Sequence, residues 1–124
     1  MKFKTKYGTY NVKILPKIYM NGRAALLMVD DPGGEPVATI TINTPETHLE
    51  PGEIAVKNYS ENEGMVEFLL SNKLAVDTGR VADGRYINAP IMKITPKLDA
   101  LLMEAGFSDP WSIPGKLYGK AATG

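Results

Sequence analysis

Apolar and polar residues alternate through the first half of the chain and recur at helical spacing in the second. Over 9–15, "TYNVKIL", Tyr10, Val12 and Ile14 fall on one face of an extended segment. Pro16 follows and predicts a break in the ladder there. The pair Asn21-Gly22 marks a tight turn. "AALLMVD" (24–30) is an unbroken apolar run between turns, the pattern of a strand covered on both faces. In "DDPGGEP" (30–36) the proline presets φ and the glycines supply positive φ, so a loop is expected. "VATITIN" (37–43) alternates again and pairs most simply with 24–30 as an antiparallel hairpin. A two-proline loop (44–52) and a short strand, "EIAVKNY" (53–59), complete this half.

The period then changes. "SENEGMVEFLLSNKLA" (60–75) places Met65, Phe68 and Leu69 on one helical face, with Val66 and Leu70 flanking. "VDTGRVADG" (76–84) reads as a bent strand or turn. "RYINAPIMKI" (85–94) reads as a strand in which Pro90 marks a bulge or an edge. "TPKLDALLMEAG" (95–106) has Thr95 as N-cap, Pro96 at the first helical position and Gly106 just past the end. Its apolar stripe is Leu98, Leu101, Leu102 and Ala105, and Met65, Met92 and Met103 are expected as core filler. Together these elements predict an α+β fold: a mainly antiparallel sheet of five to six strands with two helices on one face. One domain is expected over 1–108. Residues 109–124 form an irregular C-terminal segment with a frayed end. Trp111, Ile113, Leu117 and Tyr118 make that segment too apolar for a solvated tail; it packs on the core, on a partner or on a second copy of the chain.

Composition narrows the chemistry. The 124 residues carry 14 Lys and Arg against 14 Asp and Glu. This balance argues against a general nucleic-acid binder, although a local patch can hide inside a neutral total. There is no cysteine and a single histidine, His48, so disulfides, thiolate nucleophiles and two-histidine metal motifs are excluded. No apolar run has the length of a membrane span, and the N-terminus lacks the continuous apolar core of a signal peptide. A cytoplasmic protein without cofactor or metal is expected.

The densest polar stretch is "NYSENEG" (58–64), directly before "MVEFLL". Ser60 and Glu63 match the S-x-x-E capping box, and Glu61 and Glu63 would face the positive end of the helix dipole. Helix initiation thus explains the carboxylates without catalysis, and no second carboxylate is placed opposite them as a glycosidase requires. Gly64 is left over, because glycine inside a first turn costs roughly 0.5–1 kcal/mol against alanine. It implies a close approach to the backbone by a strand or a ligand. Tyr59 and Asn62 are also not required by the cap. Arg80, Arg85 and Tyr86, around "TGRVADGR", form either a small anion pocket or salt bridges to the helix-start glutamates. The candidate binding residues are therefore Tyr59, Glu61, Asn62, Gly64, Arg80, Arg85 and Tyr86. Trp111, Ile113, Leu117 and Tyr118 form a second candidate surface.

The succession "GEPVATITIN", "IAVKNYSENEGMVEFLLSNKLAVDTGRV" and "GRYINAPIMKI" resembles a domain-of-unknown-function family of short proteins. That family is carried by phages, plasmids and conjugative elements of gut Firmicutes and Bacteroides. The resemblance spans about residues 34–94 and implies a genomic setting rather than a mechanism. In that setting the expectation is a non-catalytic binding protein that inhibits a host defence system, for example CRISPR, by occupying a protein surface. The alternative is a protein that binds or sequesters a nucleotide or other anion through Arg80 and Arg85. A protein partner is expected, with a homodimer as one form of it.

Overall fold

In the computed structural model, residues 1–5, 7–19, 24–44, 47–59, 62–83 and 88–105 are described. Their elements are β1 (Lys2–Thr5), β2 (Gly8–Ile18), β3 (Ala24–Asp30), β4 (Pro36–Thr39), β5 (Glu53–Ala55), α1 (Met65–Ser71), β6 (Ala75–Asp83), β7 (Asn88–Ile94) and α2 (Pro96–Glu104). The fold is α+β and antiparallel, as expected. However, the strands form two sheets, not one of five or six. One is four-stranded in the order β1-β2-β3-β4; the other is three-stranded in the order β5-β7-β6. The predicted strand over 37–43 ends as a ladder at Thr39 and continues only as a bridge, Thr41 to Val56, that joins the sheets. There the Ile42 N–H donates to the Ala55 carbonyl at 3.0 Å, and the Lys57 N–H to that of Ile40 at 2.8 Å.

Two prolines sit within ladders, and one of them, Pro16, does not interrupt its ladder as expected. β2 runs through Pro16, which lies opposite Leu26 of β3. Leu26 turns both its backbone groups toward the β4 side. Its N–H donates to Thr41 Oγ1 at 3.1 Å and its carbonyl accepts the Ile40 N–H at 2.8 Å. Pro16 therefore faces a position that asks for no N–H, and the ladder survives it. Pro90 sits in β7, the central strand of its sheet, opposite Val81, where the β6 register shifts between Asp77 and Val81. It marks a bulge, not an edge.

Each helix touches both sheets: α1 packs on β1 and β6, and α2 on β2 and β7. The expected arrangement, both helices on one face of one sheet, gives way to helices that close the space between two sheets. The main core draws Phe3, Val12, Ile14, Leu26, Met28 and Ile40 from the first sheet and Ile54, Val56, Met92 and Ile94 from the second. Met65, Phe68 and Leu69 of α1 and Leu98 and Leu102 of α2 fill it. Phe3 meets Phe68 edge-on, with centroids 5.5 Å apart. β3 is buried on both faces, as its unbroken apolar run predicts. A second, smaller cluster of Leu49, Ala55, Ala82, Ala89 and Ile91 lies outside this core.

α2 starts as predicted. Thr95 Oγ1 accepts the Leu98 N–H at 3.3 Å, and Pro96 follows at the first position. At its far end Ala105 is exposed, and Met103 points largely to solvent instead of filling the core. Gly106 and the segment 109–124, with Trp111, Ile113, Leu117 and Tyr118, lie outside the described residues. Among the described residues no helix is long and apolar enough to cross a membrane.

Candidate functional site

α1 starts further along the chain than a cap at Ser60 would set it. The helix begins at Met65, its N-cap is Gly64, and no side chain of the cap bonds the helix. Gly64 has φ +94°, a left-handed conformation that glycine adopts freely. A Cβ there would stand 3.3 Å from the Lys4 carbonyl oxygen, so β1 is the strand that approaches it closely. The orphan N–H of Val66 is met from outside the predicted box, by Asn58 Oδ1 at 3.0 Å. The acidic residue of the first turn is Glu67, and Glu63 precedes the cap. Ser60 and Glu61 lie outside the described residues.

Asn62, one of the candidate binding residues, is wholly buried. Its Nδ2 donates to the Thr39 carbonyl at 2.6 Å and to the Lys57 carbonyl at 3.1 Å. Two carbonyl acceptors fix the amide orientation, since only the NH2 group can serve both. Thr39 ends β4 and Lys57 follows the inter-sheet bridge, so this one side chain staples the sheets at their junction. Tyr59 is half-buried beside Lys57, whose Nζ lies 5.6 Å from the ring centroid.

Arg80 is engaged by β5 and the loop before it. Nη1 donates to Glu53 Oε1 at 2.7 Å and Nη2 to the His48 carbonyl at 2.7 Å. The motif "DTGR" explains how it gets there. Asp77 Oδ1 accepts the Gly79 N–H at 2.9 Å. The Thr78 hydroxyl donates to the Ile91 carbonyl at 2.7 Å and accepts the Arg80 N–H at 3.1 Å. With Gly79 at φ +84°, these bonds shape the β6 bulge and aim Arg80 across the sheet to β5. The Glu53 side chain is only 8% exposed and also accepts the Glu50 N–H at 2.8 Å, while His48 pairs with Glu50 at 2.7 Å. The result is a clasp that holds the 47–52 loop, with Leu49 beneath it. Arg85 and Tyr86 lie outside the described residues.

The structure thus separates the predicted site into a sheet staple (Asn62), a close backbone approach (Gly64) and a loop clasp (Arg80). Sequence reasoning missed Asn58, Glu53 and the basic side chains of β1. Lys2 and Lys4 line an open groove of about 400 Å³ with Gly64, Glu67, Phe68, Ser71 and Asn72 of the α1 region. Among the described residues, no group of three or more His, Cys, Asp or Glu is arranged to hold a metal ion. No family model, no curated protein and no solved structure matches the chain.

Proposed function

We propose that the protein is a non-catalytic binding protein that acts by occupying the surface of a protein partner. In the phage or mobile-element setting that its sequence pattern resembles, the partner belongs to a host defence system such as CRISPR. The observation that carries this reading is β6. It is the longer of the two edge strands of its sheet, nine residues long, and presents Val76 and Val81 at 53% and 50% exposure. An edge strand offers unpaired backbone groups to an incoming segment, and exposed β-branched side chains add apolar contact. The Asp77–Arg80 bulge divides this edge and, by bending it, opposes indiscriminate pairing with other strands. The anion-binding alternative draws no such support, because Arg80 already spends two donor groups on Glu53 and His48.

The test is affinity purification of the tagged protein from cells with active CRISPR immunity, with phage plaquing measured in parallel. The wild type is expected to retain a stoichiometric protein and to restore plaquing. Val76→Glu/Val81→Glu should lose both effects and keep the wild-type unfolding transition. Absence of a stoichiometric partner together with undiminished immunity overturns the reading.

A further inference from the structure

The backbone bonds of β7 fix which groups β6 leaves open at its outer edge. The Pro90 carbonyl accepts the Val56 N–H at 2.9 Å, and the Ile94 N–H donates to the Gly52 carbonyl at 2.9 Å. Pro90 and Ile94, with Met92 between them, therefore turn their backbone groups toward the β5 side. Ile91 turns its carbonyl toward β6, where the Thr78 hydroxyl meets it at 2.7 Å. Ala75, Asp77, Val81 and Asp83 lie opposite Ile94, Met92, Pro90 and Asn88 in turn. Each of these four faces a residue turned away from it, so its own N–H and C=O point off the sheet. Their partners follow one another at every second residue of β7. The extra residues 78–80 thus keep the two halves of β6 in step, and open donor–acceptor pairs recur about every 7 Å. Among the described residues, no backbone bond from another element reaches Ala75, Asp77 or Val81.

The side chains beside these groups narrow what can pair there. Asp77 and Val81 share the face of Met92 and Pro90, whereas Val76 stands with Lys93 on the other face. The two exposed valines therefore flank the edge from opposite sides, and a pairing segment meets apolar surface on both of its own faces. Asp77 is exposed; its Oδ1 accepts the Gly79 N–H at 2.9 Å, and among the described residues no cation pairs with its charge. Arg80, the nearest basic side chain along the strand, is turned back to Glu53. N–H and C=O pairs that repeat at this spacing are matched by an extended polypeptide, which carries both groups at every second residue along one edge. We propose that the partner supplies a short extended segment that adds to β6 as an antiparallel fourth strand of this sheet. That segment places a β-branched residue opposite Val81 and, two positions on, a Lys or Arg opposite Asp77, where opposite charges favour pairing and like charges oppose it. The inference rests on the protein-partner reading and names what that partner must present.

Two synthetic peptides test it by NMR and amide exchange on the isotope-labelled full chain: TTVSKVA, whose first valine meets Val81 and whose lysine meets Asp77, and its glutamate counterpart TTVSEVA. In the free protein the Val76 and Ala82 amides, which face β7, should exchange slowly, and those of Asp77 and Val81 fast. Millimolar lysine peptide should slow the Asp77 and Val81 amides and bind about three-fold or more tighter than the glutamate peptide. Asp77→Asn keeps an oxygen for the Gly79 N–H and removes the charge, so it should erase that difference. Val81→Pro removes an N–H that faces solvent and leaves the β7 bonds in place; it should keep the wild-type unfolding transition and lose the peptide. No slowing at Asp77 and Val81, or equal affinity of the wild type for both peptides, overturns the proposal. So does a concentration-dependent wild-type dimer that Val81→Pro abolishes, which would assign the edge to a second copy. If tagged Val81→Pro and Asp77→Asn still retain the wild-type partner from cells, strand addition fails and the protein-partner reading stands. If the wild type retains none, that reading fails and the inference with it.

Discussion

Gly64→Ala separates two accounts of the helix start by sign. If Gly64 lay inside the first turn of a helix capped at Ser60, alanine there would stabilise the protein by roughly 0.5–1 kcal/mol. In the structure Gly64 is the N-cap at φ +94°, outside the range that L side chains occupy comfortably. A left-handed residue with a Cβ costs about 1–2 kcal/mol. The new methyl group would also sit 3.3 Å from the Lys4 carbonyl, so β1 must give by a few tenths of an ångström. β1 carries Phe3, whose edge-on contact with Phe68 leaves little room to move. The expected loss is about 2 kcal/mol. Urea unfolding followed by far-ultraviolet circular dichroism reads it directly. With a slope of about 1.5 kcal/mol per M, the midpoint should fall by about 1.3 M with the slope unchanged. Gly64→Asn should fall between the two, since asparagine visits the left-handed region more readily. An alanine variant as stable as the wild type, or more stable, refutes the reasoning.

Asn62→Ala removes two hydrogen bonds and strands two carbonyls at the sheet junction, so a loss of about 3 kcal/mol is expected in the same assay. Asn62→Asp should be at least as damaging, because a carboxylate would face two carbonyl oxygens. Arg80→Gln leaves the Glu53 carboxylate without its cation; with Arg80 partly in solvent, about 2 kcal/mol is expected. A double-mutant cycle with Glu53→Gln should give a coupling of at least about 1 kcal/mol, and limited proteolysis should cut the 47–52 loop faster in either single variant. Asn58→Ala should cost about 1 kcal/mol through the lost bond to Val66, and no change on denaturation would remove Asn58 from the cap.

What could be read from the sequence is what local chemistry decides. Thr95 and Pro96 start α2 through a bond three residues away, and the unbroken apolar run of β3 announces burial on both faces. The turn between β3 and β4 follows from its proline and glycines. What could not be read depends on partners remote in sequence. Arg80 meets Glu53 across 27 residues, and Asn62 reaches Thr39 across 23. The division into two sheets rests on the bridge between Thr41 and Val56, which no periodicity within either segment reports. Pro16 misled for the same reason. Proline breaks a ladder only where an N–H is demanded, and the neighbouring strand sets that demand.

The helix start shows how placement against a neighbouring strand moves a boundary that motif spacing alone would set. Ser60 and Glu63 have capping-box spacing, yet the chain turns left-handed at Gly64 and begins its helix one residue later. The box assumes that the residue after Glu63 continues the helix, and a glycine against β1 denies it that. The same dependence on placement governs charge. Counting 14 basic against 14 acidic residues treats the surface as mixed, and mixing is what period-two alternation prevents here. On β1 and β2 the alternation that sends Phe3, Val12 and Ile14 inward must send Lys2, Lys4 and Lys13 outward together. A segment with no acid at all can then only build a basic face. Core and basic face are consequences of one pattern on opposite sides of the same strands. Changing the lysines to Gln should therefore spare the fold, whereas shifting the register by one residue would destroy it.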